Sequence, residues 1–333
     1  MISETATPPV LIPLPEPGSA YALPRIPYLR LRFVLRAVER AGLPPFKGSL
    51  LRGAFGHALR RATCSMGPGY ECGDCVLRRA CLYTRLFETF IEDEPPPFLR
   101  GIPTSPRPYV FETVTEETEF EPGDPLCFDL LLFGQATSLA AHALLAVERM
   151  ARGGLGARRS PFVLDQAGAG LANGGWQEIY KEGRPSPALA TVVPRLPSEA
   201  PVGEGRITLS FLTPTRLQVR GQLKEEPGFR NIVFAMLRRT LELAWFHVPG
   251  AEIDWCLRPL LERKVKVAFS DLRWQELQRY SNRQQANISL GGFTGTMELE
   301  GDLAPFGPLL RNVEVLHFGK GATFGLGRVK VGQ

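Results

Sequence analysis

A glycine-rich segment near the C-terminus, residues 316–328, constrains the fold more than any other part of the chain. It reads LHFGKGATFGLGR, it follows an apolar helix-like run, and the strand-like residues 328–331 come next. Glycines allow positive φ angles and let backbone N–H groups approach a ligand closely, and such N–H groups beside a lysine form a concave anion site. The segment predicts a phosphate-binding loop between a helix and a last strand. The alternative is a turn that closes a sheet edge, and the residue order of a Walker loop is missing.

The bulk composition fits two ordinary domains with packed cores, since the chain has 333 residues of which 44% are hydrophobic. No apolar run is long enough to cross a bilayer, and the proline-rich start lacks the pattern of an export signal. We therefore expect a cytoplasmic protein with no membrane partner. Six cysteines in a reducing compartment do not favour a disulfide framework.

The net charge of +5 is unevenly distributed. Residues 25–61 hold nine lysines and arginines but a single acid, Glu39, whereas acids outnumber bases over residues 71–129. A basic zone beside an acidic one suits a polyanion bound on one face. The alternative is an ordinary solvated surface.

The first half predicts a strand followed by an amphipathic helix. Residues 28–36 alternate basic and apolar side chains, and Ser49 is a candidate N-cap for a helix over residues 50–62. At 100° per residue the apolar side chains of that helix share one face, and His57 falls on the opposite, basic face. Strands over residues 108–114 and 126–133 and a helix over 138–150 should follow.

Four cysteines lie within a short insertion at residues 64–81. Their spacing, with two of them separated by two residues, is that of metal ligands, because a tight turn can aim two thiolates at one ion. The four are Cys64, Cys72, Cys75 and Cys81. Four sulfur ligands predict structural Zn²⁺, with an iron–sulfur cluster as the alternative and buried, unligated cysteines as a further one.

The second half repeats the order of elements but not the sequence. A strand begins at Arg206, a long helix covers residues 229–248, and strands are expected over 264–267 and 288–299. A second helix over 304–316 precedes the glycine-rich segment and the closing strand. Both halves can be read as βαββαβ units.

The C-terminal half carries a chain of motifs that resembles the CRISPR repeat-processing endoribonucleases of the RAMP superfamily. The motifs are YSNRQQ (280–285), LGGFTG (290–295), GDL (301–303), PLLR (308–311), HFGKG (317–321) and FGLG (324–327). The resemblance covers residues 206–331, with a weaker echo near 46–61. It implies an α+β fold of two tandem ferredoxin-like (RRM-like) RAMP domains, the first carrying the cysteine-rich insertion. The predicted segments are a proline-rich arm (1–24), an N-terminal domain (25–195) and a C-terminal domain (205–333) with the glycine-rich loop at 317–328.

The resemblance also implies an activity, the cleavage of CRISPR precursor RNA within its repeats by attack of a 2′-OH. Such a reaction needs a base, an acid and charge stabilisation but no metal cofactor. The resemblance places a catalytic histidine on the first helix, which is the position of His57, with Lys47 and Arg60 as charge stabilisers. The predicted RNA-binding residues are His317, Gly319, Lys320, Gly321, Thr323, Gly325, Gly327, Arg328, Arg283, Arg52 and Arg61. His317 is also the rival candidate for the catalytic histidine.

Two other functions remain open from the sequence. A non-catalytic RAMP subunit would bind guide RNA within a larger CRISPR effector complex and would share the fold and the loop. A metal-sensing or redox protein would instead use the cysteines.

Overall fold

The computed structural model describes residues 23–67, 69–92, 95, 104–202, 205–254, 257–281 and 286–332. Almost all of the proline-rich arm and Arg283 lie outside the described residues.

The first domain is built on one antiparallel sheet and two helices. Its strands are β1 (Tyr28–Ala37), β2 (Ala41–Gly42), β3 (Tyr109–Thr113), β4 (Glu119–Phe120), β5 (Pro125–Phe133), β6 (Phe162–Gly170), β7 (Trp176–Lys181) and β8 (Arg184–Pro185), and its helices are α1 (Gly48–Thr63) and α2 (Ala140–Arg152). Short helical turns cover Cys72–Asp74, Thr84–Glu88, Gly134–Leu139 and Pro187–Thr191.

The strand order of this sheet is that of a ferredoxin-like unit with an extension. The six strands run β3-β5-β1-β6-β7-β8, and each neighbouring pair is antiparallel. Four of these strands alternate with the helices: β1, β3, β5 and β6. If they are numbered 1 to 4 in chain order, they lie across the sheet in the order 2-3-1-4. The apolar side of β1 joins α1 and α2 in one core, as its alternation predicts.

The second domain repeats that topology. Its strands are β9 (Gly205–Thr215), β10 (Leu217–Val219), β11 (Gln222–Lys224), β12 (Val265–Gln275), β13 (Gln278–Ser281), β14 (Ala286–Ser289), β15 (Gly292–Gly301) and β16 (Val329–Gly332), and its helices are α3 (Phe229–His247), α4 (Arg258–Leu261) and α5 (Gly307–Leu316). The main sheet runs β12-β15-β9-β16, again 2-3-1-4 and antiparallel. Two tandem units of one α+β topology follow.

A third apolar cluster joins the domains. It combines side chains from β1, β3 and β5 of the first domain with α3 and α5 of the second: Ile26, Tyr28, Val110, Leu131, Phe133, Leu243, Ala244 and Leu316. Gly134 has a φ of 55° and lies so close to His247 that a Cβ would overlap the His247 carbonyl oxygen. The two domains are therefore packed against each other through an apolar core.

The predicted boundaries are correct for most elements and differ at three places. Lys47, rather than Ser49, is the residue before α1, because the chain turns into the helix where Gly48 contacts Phe324. Strand β12 extends to Gln275, and a break at residues 290–291 separates β14 from β15. Among the helices of the described residues, none has the length and apolarity to cross a membrane.

Candidate functional site

The glycine-rich loop connects α5 to β16 and fills the junction between the two domains. A Cβ at Gly325 would overlap the carbonyl oxygen of Phe111 in β3, and one at Gly48 in α1 would overlap that of Phe324. Gly319, Gly321, Gly325 and Gly327 all have positive φ. At Gly325 glycine is required because loop backbone meets backbone of the first domain, whereas a Cβ at Gly319 or Gly327 would overlap carbonyl oxygens of the second domain and of the loop itself.

Many backbone N–H groups of this loop donate to protein oxygens rather than to open space. The donors are Phe318, Lys320, Phe324, Gly325, Gly327 and Arg328, and the acceptors include the carbonyl oxygens of Arg216 (2.9 Å) and Pro214 (3.1 Å) and the hydroxyl of Thr213 (2.9 Å). An amide that is already paired cannot also hold a phosphate. The expectation of a run of free N–H groups is therefore corrected, because most of these donors are paired within the loop and the second domain.

His317 lies inside the protein. Its side chain is fully buried, Nδ1 is 3.1 Å from the carbonyl oxygen of Leu326, and Nε2 is 2.9 Å from Glu112 Oε1. Both ring nitrogens therefore lie within hydrogen-bond distance of protein oxygens. The expectation that the His317 side chain contacts RNA, or cuts it, does not fit this geometry, because burial removes the imidazole from any ligand.

Glu112 is the partner that fixes His317, and it gathers cations from both domains. Arg30 donates to it from β1 at 2.7 Å, and Arg328 lies 3.5 Å away beyond the loop. Burial acts to raise the pKa of this carboxyl, but the His317 hydrogen bond and the charges of His317, Arg30 and Arg328 outweigh it and hold the pKa well below its usual range. The result is a buried ion cluster across the domain junction.

Lys47 is also buried, contrary to a role as an exposed charge stabiliser. Its side chain has no exposed surface, and Nζ donates to the carbonyl oxygen of Glu116 at 3.2 Å. Burial lowers the pKa of Lys47, while Glu117 and Glu116 act to raise it. The residue precedes α1 and anchors its start to the segment before β4.

His57 is exposed on the predicted face of α1. Leu51, Phe55, Ala58 and Leu59 bury the opposite face, as the helical spacing predicts. One turn before His57, a Cβ at Gly53 would meet no atom within 4 Å, and one turn after it Arg61 is exposed. The structure therefore brings a histidine, an open gap and a cation together on one accessible surface, which we call the His57 face.

Arg60 points toward the cysteine insertion instead. It donates to the carbonyl oxygen of Tyr70 at 2.5 Å, and its guanidinium lies 5.8 Å from the centre of the Tyr83 ring. Burial acts to lower the pKa of Arg60, but the charges of Cys72 and Tyr83 and a hydrogen bond to Cys64 together raise it. Arg60 thus connects α1 to the insertion.

The four cysteines of the insertion are free thiols and half-buried. Cys72 and Cys81 pack against the first core. Burial raises the pKa of Cys72, the charge of Arg60 lowers it, and the charges of Glu88, Cys81 and Cys64 raise it, so three of the sulfurs act on one another. Over the part of the chain that the structure describes, no group of three or more Cys, His, Asp or Glu side chains has the geometry to hold a metal ion.

The cations of the second domain surround a groove of about 1000 Å³ between β10, α3, α4 and the loop. Lys320 is exposed at its edge, and the other basic residues that line it are Arg216, Arg220, Arg230, Arg238, Arg239 and Arg258. Two of these are neutralised within their helices, Arg238 by Glu242 and Arg258 by Glu262, each at 2.6 Å. The groove remains predominantly basic.

The arginine-lined face of β1 differs from this groove because it is neutralised. Arg30 and Arg32 donate to Asp129 at 2.9 and 2.7 Å, and Arg36 donates to Asp165 at 2.9 Å. The alternation of β1 is correct, but cross-strand acids occupy the cations that could otherwise hold phosphates.

Sequence reasoning missed several residues of the junction. Glu112 and Arg107 escaped it, although an acid inside the apolar strand β3 is an unusual feature that signals a buried partner. Arg52 was expected to face RNA. Its guanidinium lies 4.3 Å from the Phe87 ring centre and 5.4 Å from that of Phe324 in the loop, at the junction of the domains.

Tandem ferredoxin-like domains joined around a glycine-rich loop define a protein of the RAMP class. Residues 26–192, half of the chain, match a family model described as an N-terminal domain, and residues 209–329 match the model of the CRISPR-associated endoribonuclease Cas6. The second domain therefore belongs to the Cas6 family of CRISPR-associated endoribonucleases, and the first carries the N-terminal domain that the other model describes.

Solved structures agree on the fold. A product complex of Thermus thermophilus Cas6 is 19% identical, with a TM-score of 0.55 over 92% of this chain and 98% of that one. A partial Cas6-RT-Cas1–Cas2 complex is 12% identical, with a TM-score of 0.50 over 93% of this chain and 46% of that one. A search of curated proteins found no match.

Proposed function

We propose that the protein cuts CRISPR precursor RNA within its repeats without a metal ion, and that His57 takes part in the proton transfers. The observation that carries the proposal is the His57 face of a Cas6-type chain: an exposed imidazole on α1 with open space at Gly53 and a cation at Arg61. Histidine suits this chemistry because its unperturbed pKa lies near neutrality. The reaction belongs to the cytoplasm, where the precursor RNA is made.

The reaction would proceed in one displacement. A base removes the proton of the 2′-OH, the 2′-oxygen forms a bond to the adjacent phosphorus, and the bond from phosphorus to the 5′-oxygen breaks. An acid gives a proton to the leaving oxygen, so the products are a 2′,3′-cyclic phosphate and a 5′-hydroxyl. His57 serves as base or acid, and Arg61 supplies positive charge for the phosphorane.

Lys320 and Arg328 are proposed to hold the RNA backbone beside the loop. Lys320 is exposed, and Arg328 keeps 39% of its side-chain surface although it lies near Glu112. Phosphate contacts of this kind position an RNA but do not read its sequence. Lys47 and His317 are omitted from the proposed site because they are buried.

We further propose structural zinc at Cys64, Cys72, Cys75 and Cys81, with an iron–sulfur cluster as the alternative. The donor set supports it, since four free cysteines are of the kind that closes a tetrahedral structural site. Bound zinc would stabilise the insertion and supply no step of the cleavage. Arg60 would transmit that stability to α1 through its contact with Tyr70.

Cleavage of a labelled repeat RNA from the host in EDTA tests the proposal. The wild type should cut, a substrate with a single 2′-deoxy at the scissile position should remain intact, and His57→Ala should lose activity by about 10²-fold or more. His142→Ala is the matched control because His142 is exposed on α2. Activity of His57→Ala at the wild-type level would remove His57 from the mechanism.

The second candidate is a non-catalytic subunit that binds guide RNA beside other CRISPR proteins. The basic groove next to Lys320 favours it, because RNA binding alone would explain the groove. Tight binding of the repeat by the wild type with no cutting under any buffer would establish this function in place of the first.

A further inference from the structure

Three arginines from both domains lie near one another at the domain junction, and two of them flank the glycine-rich loop. They are Arg52 in α1, Arg107 just before β3 and Arg279 in β13, and we call them the seam cluster. The guanidiniums of Arg52 and Arg279 lie 5.4 and 5.1 Å from the ring centre of Phe324. The aromatic ring of the loop is therefore flanked by a cation from each domain.

Among the residues that the structure describes, the hydrogen-bond partners of the seam cluster are neutral. Arg107 donates to the carbonyl oxygen of Phe87 at 2.6 Å and Arg279 to Ser49 Oγ at 3.1 Å, and both acceptors are neutral. Within the described residues, no ion pair involves any of the three. Glu88 is the acid that acts on Arg107, but its carboxylate accepts a hydrogen bond from the Tyr83 hydroxyl at 3.0 Å.

The cluster also leaves buried donors unsatisfied. The Nε atoms of Arg52 and Arg279 are buried and have no hydrogen-bond acceptor among the described residues. Burial lowers the pKa of Arg107 and of Arg279, and in each case the charge of Arg52 lowers it further. Unpaired donors and repelling cations cost free energy, and an anion bound among these guanidinium groups would offset the repulsion.

Arg30 is a half-buried arginine of the same junction that does have acidic partners. It donates hydrogen bonds to both Glu112 and Asp129. The same fold therefore pairs arginines with acids where they have a structural role, whereas among the described residues no carboxylate forms an ion pair with the seam cluster.

We propose that Arg52, Arg107 and Arg279 form one phosphate site that spans the two domains and binds a backbone phosphate of the RNA. Planar guanidiniums match the oxygens of a phosphate and bind them in pairs. Because Arg279 belongs to the second domain and the other two to the first, a phosphate held there clamps the domains together. The inference rests on the proposed RNA substrate, but it does not depend on cleavage or on His57.

The first test measures binding of a 2′-deoxy, uncleavable repeat RNA over a range of salt concentrations. Loss of one single-strand phosphate contact lowers the slope of log K against log salt by about 0.7. Arg107→Gln and Arg279→Gln should each show this loss. Arg184→Gln, which removes an exposed arginine from β8, should keep the wild-type slope.

The second test locates the phosphate. Replacing single linkages of that RNA with neutral methylphosphonates should identify one linkage whose replacement weakens wild-type binding about tenfold or more. The same replacement should have no further effect in Arg107→Gln. Arg107→Lys, which keeps the charge, should retain the salt slope and lose much of the linkage dependence, because lysine lacks the paired donors.

The outcomes separate the site from the catalytic proposal. A wild type that cuts RNA, with unchanged salt slopes in folded Arg107→Gln and Arg279→Gln and no linkage specific to them, would overturn the phosphate site and leave the nuclease. A wild type that never cuts, with slopes that fall in both variants, would support the site and reject the nuclease.

Competition by inorganic phosphate that disappears in Arg107→Gln would show that free phosphate also occupies the site. Linkage dependence without such competition would assign it to the RNA backbone.

Discussion

At the scale of single residues, Glu112 is the buried carboxylate that contacts cationic side chains from both domains. It is buried, it accepts hydrogen bonds from His317 and Arg30, and its pKa is held below the usual range. A carboxyl with a lowered pKa in the folded state stabilises the protein above its unfolded pKa of 4.5, and that stability is lost as the pH falls toward the folded value. Acid should therefore loosen the junction between the domains.

The corresponding variant is Glu112→Gln. At neutral pH we expect its free energy of unfolding to fall by about 3 kcal/mol, because the substitution removes the charged partner of the buried His317 ring and one of the two acids that pair with Arg30. Below pH 4.5 its unfolding free energy should depend less on pH than that of the wild type, since the group that takes up the proton is gone. Urea unfolding at a series of pH values measures both effects.

The exposed Glu178 of β7 provides the control, because Glu178→Gln should change neither the stability nor its pH dependence. Superimposable pH profiles for the wild type and Glu112→Gln would show that the pKa of Glu112 is not lowered by folding.

Two histidines show what the sequence can and cannot predict at this scale. The exposure of His57 follows from helical spacing within one turn of its neighbours, so the local pattern was sufficient. The burial of His317 depends on Glu112, which is 205 positions away in the chain. No local pattern contains that contact, and the glycines around His317 suggested an open loop.

At the scale of elements, α1 contains a natural pair of test positions. A Cβ at Gly48 would overlap the Phe324 carbonyl oxygen, whereas a Cβ at Gly53 would meet open space. Gly53→Ala should raise the free energy of unfolding by up to about 1 kcal/mol, because alanine favours a helix interior. Gly48→Ala should lower it, because α1 and the loop must move apart. Thermal unfolding of both variants measures these two opposite changes in stability.

The Gly53→Ala variant also tests whether RNA binds at the His57 face. If RNA approaches α1 closely at Gly53, the stabilised Gly53→Ala variant should bind or cut the repeat less well than the wild type. Equal or improved cutting by Gly53→Ala would show that RNA does not use this gap.

The cysteine insertion gives a prediction about metal content. We expect the purified protein to hold about one zinc ion per chain by elemental analysis, and its thermal midpoint to fall when a strong chelator removes that ion. Cys72→Ser should abolish both observations. Cys127→Ser, in β5 outside the insertion, should keep them. Iron and labile sulfide in place of zinc would favour the alternative cluster, and a metal-free wild type would reject both.

The elements themselves were largely predictable, with one instructive exception. Strands β1 and β9 and helices α1 and α3 follow from periodicity, because each buries one regular face. Strands β6 and β7 lie in residues 153–205, where glycine and proline obscure any pattern. Their pairing is fixed by β1, to which β6 is hydrogen-bonded from Leu31 to Ala37. Tertiary contacts therefore decide a strand that local propensity does not.

At the scale of the whole molecule, the order of elements predicted the tandem ferredoxin-like units, since βαββαβ has few compact solutions. How the units pack could not be predicted, because the contacts join residues from opposite halves of the chain. Leu243 and Ala244 of α3 meet Phe133 and Val110, and the buried His247 ring lies 2.6 Å from the Pro106 carbonyl oxygen. Burial lowers the pKa of His247 to about 4, so this contact is made by a neutral ring near pH 7.

This shared core predicts that the domains unfold as one cooperative unit. For the wild type, the ratio of calorimetric to van't Hoff enthalpy should be about 1. Leu243→Ala removes a buried side chain from the interdomain cluster and should lower the unfolding free energy by about 2–5 kcal/mol. Because the loss falls on the contact between the domains, the ratio should rise above that of the wild type and the transition should broaden or split.

Leu237→Ala is the matched variant for this test. Leu237 is on the same helix and equally buried, but it belongs to the core of the second domain alone. It should lower the midpoint by a similar amount and keep one transition, since the coupling between domains is intact. If Leu243→Ala and Leu237→Ala both retain one sharp transition, the coupling resides in the buried ion cluster around Glu112, and Glu112→Gln should then be the variant that splits the calorimetric peak.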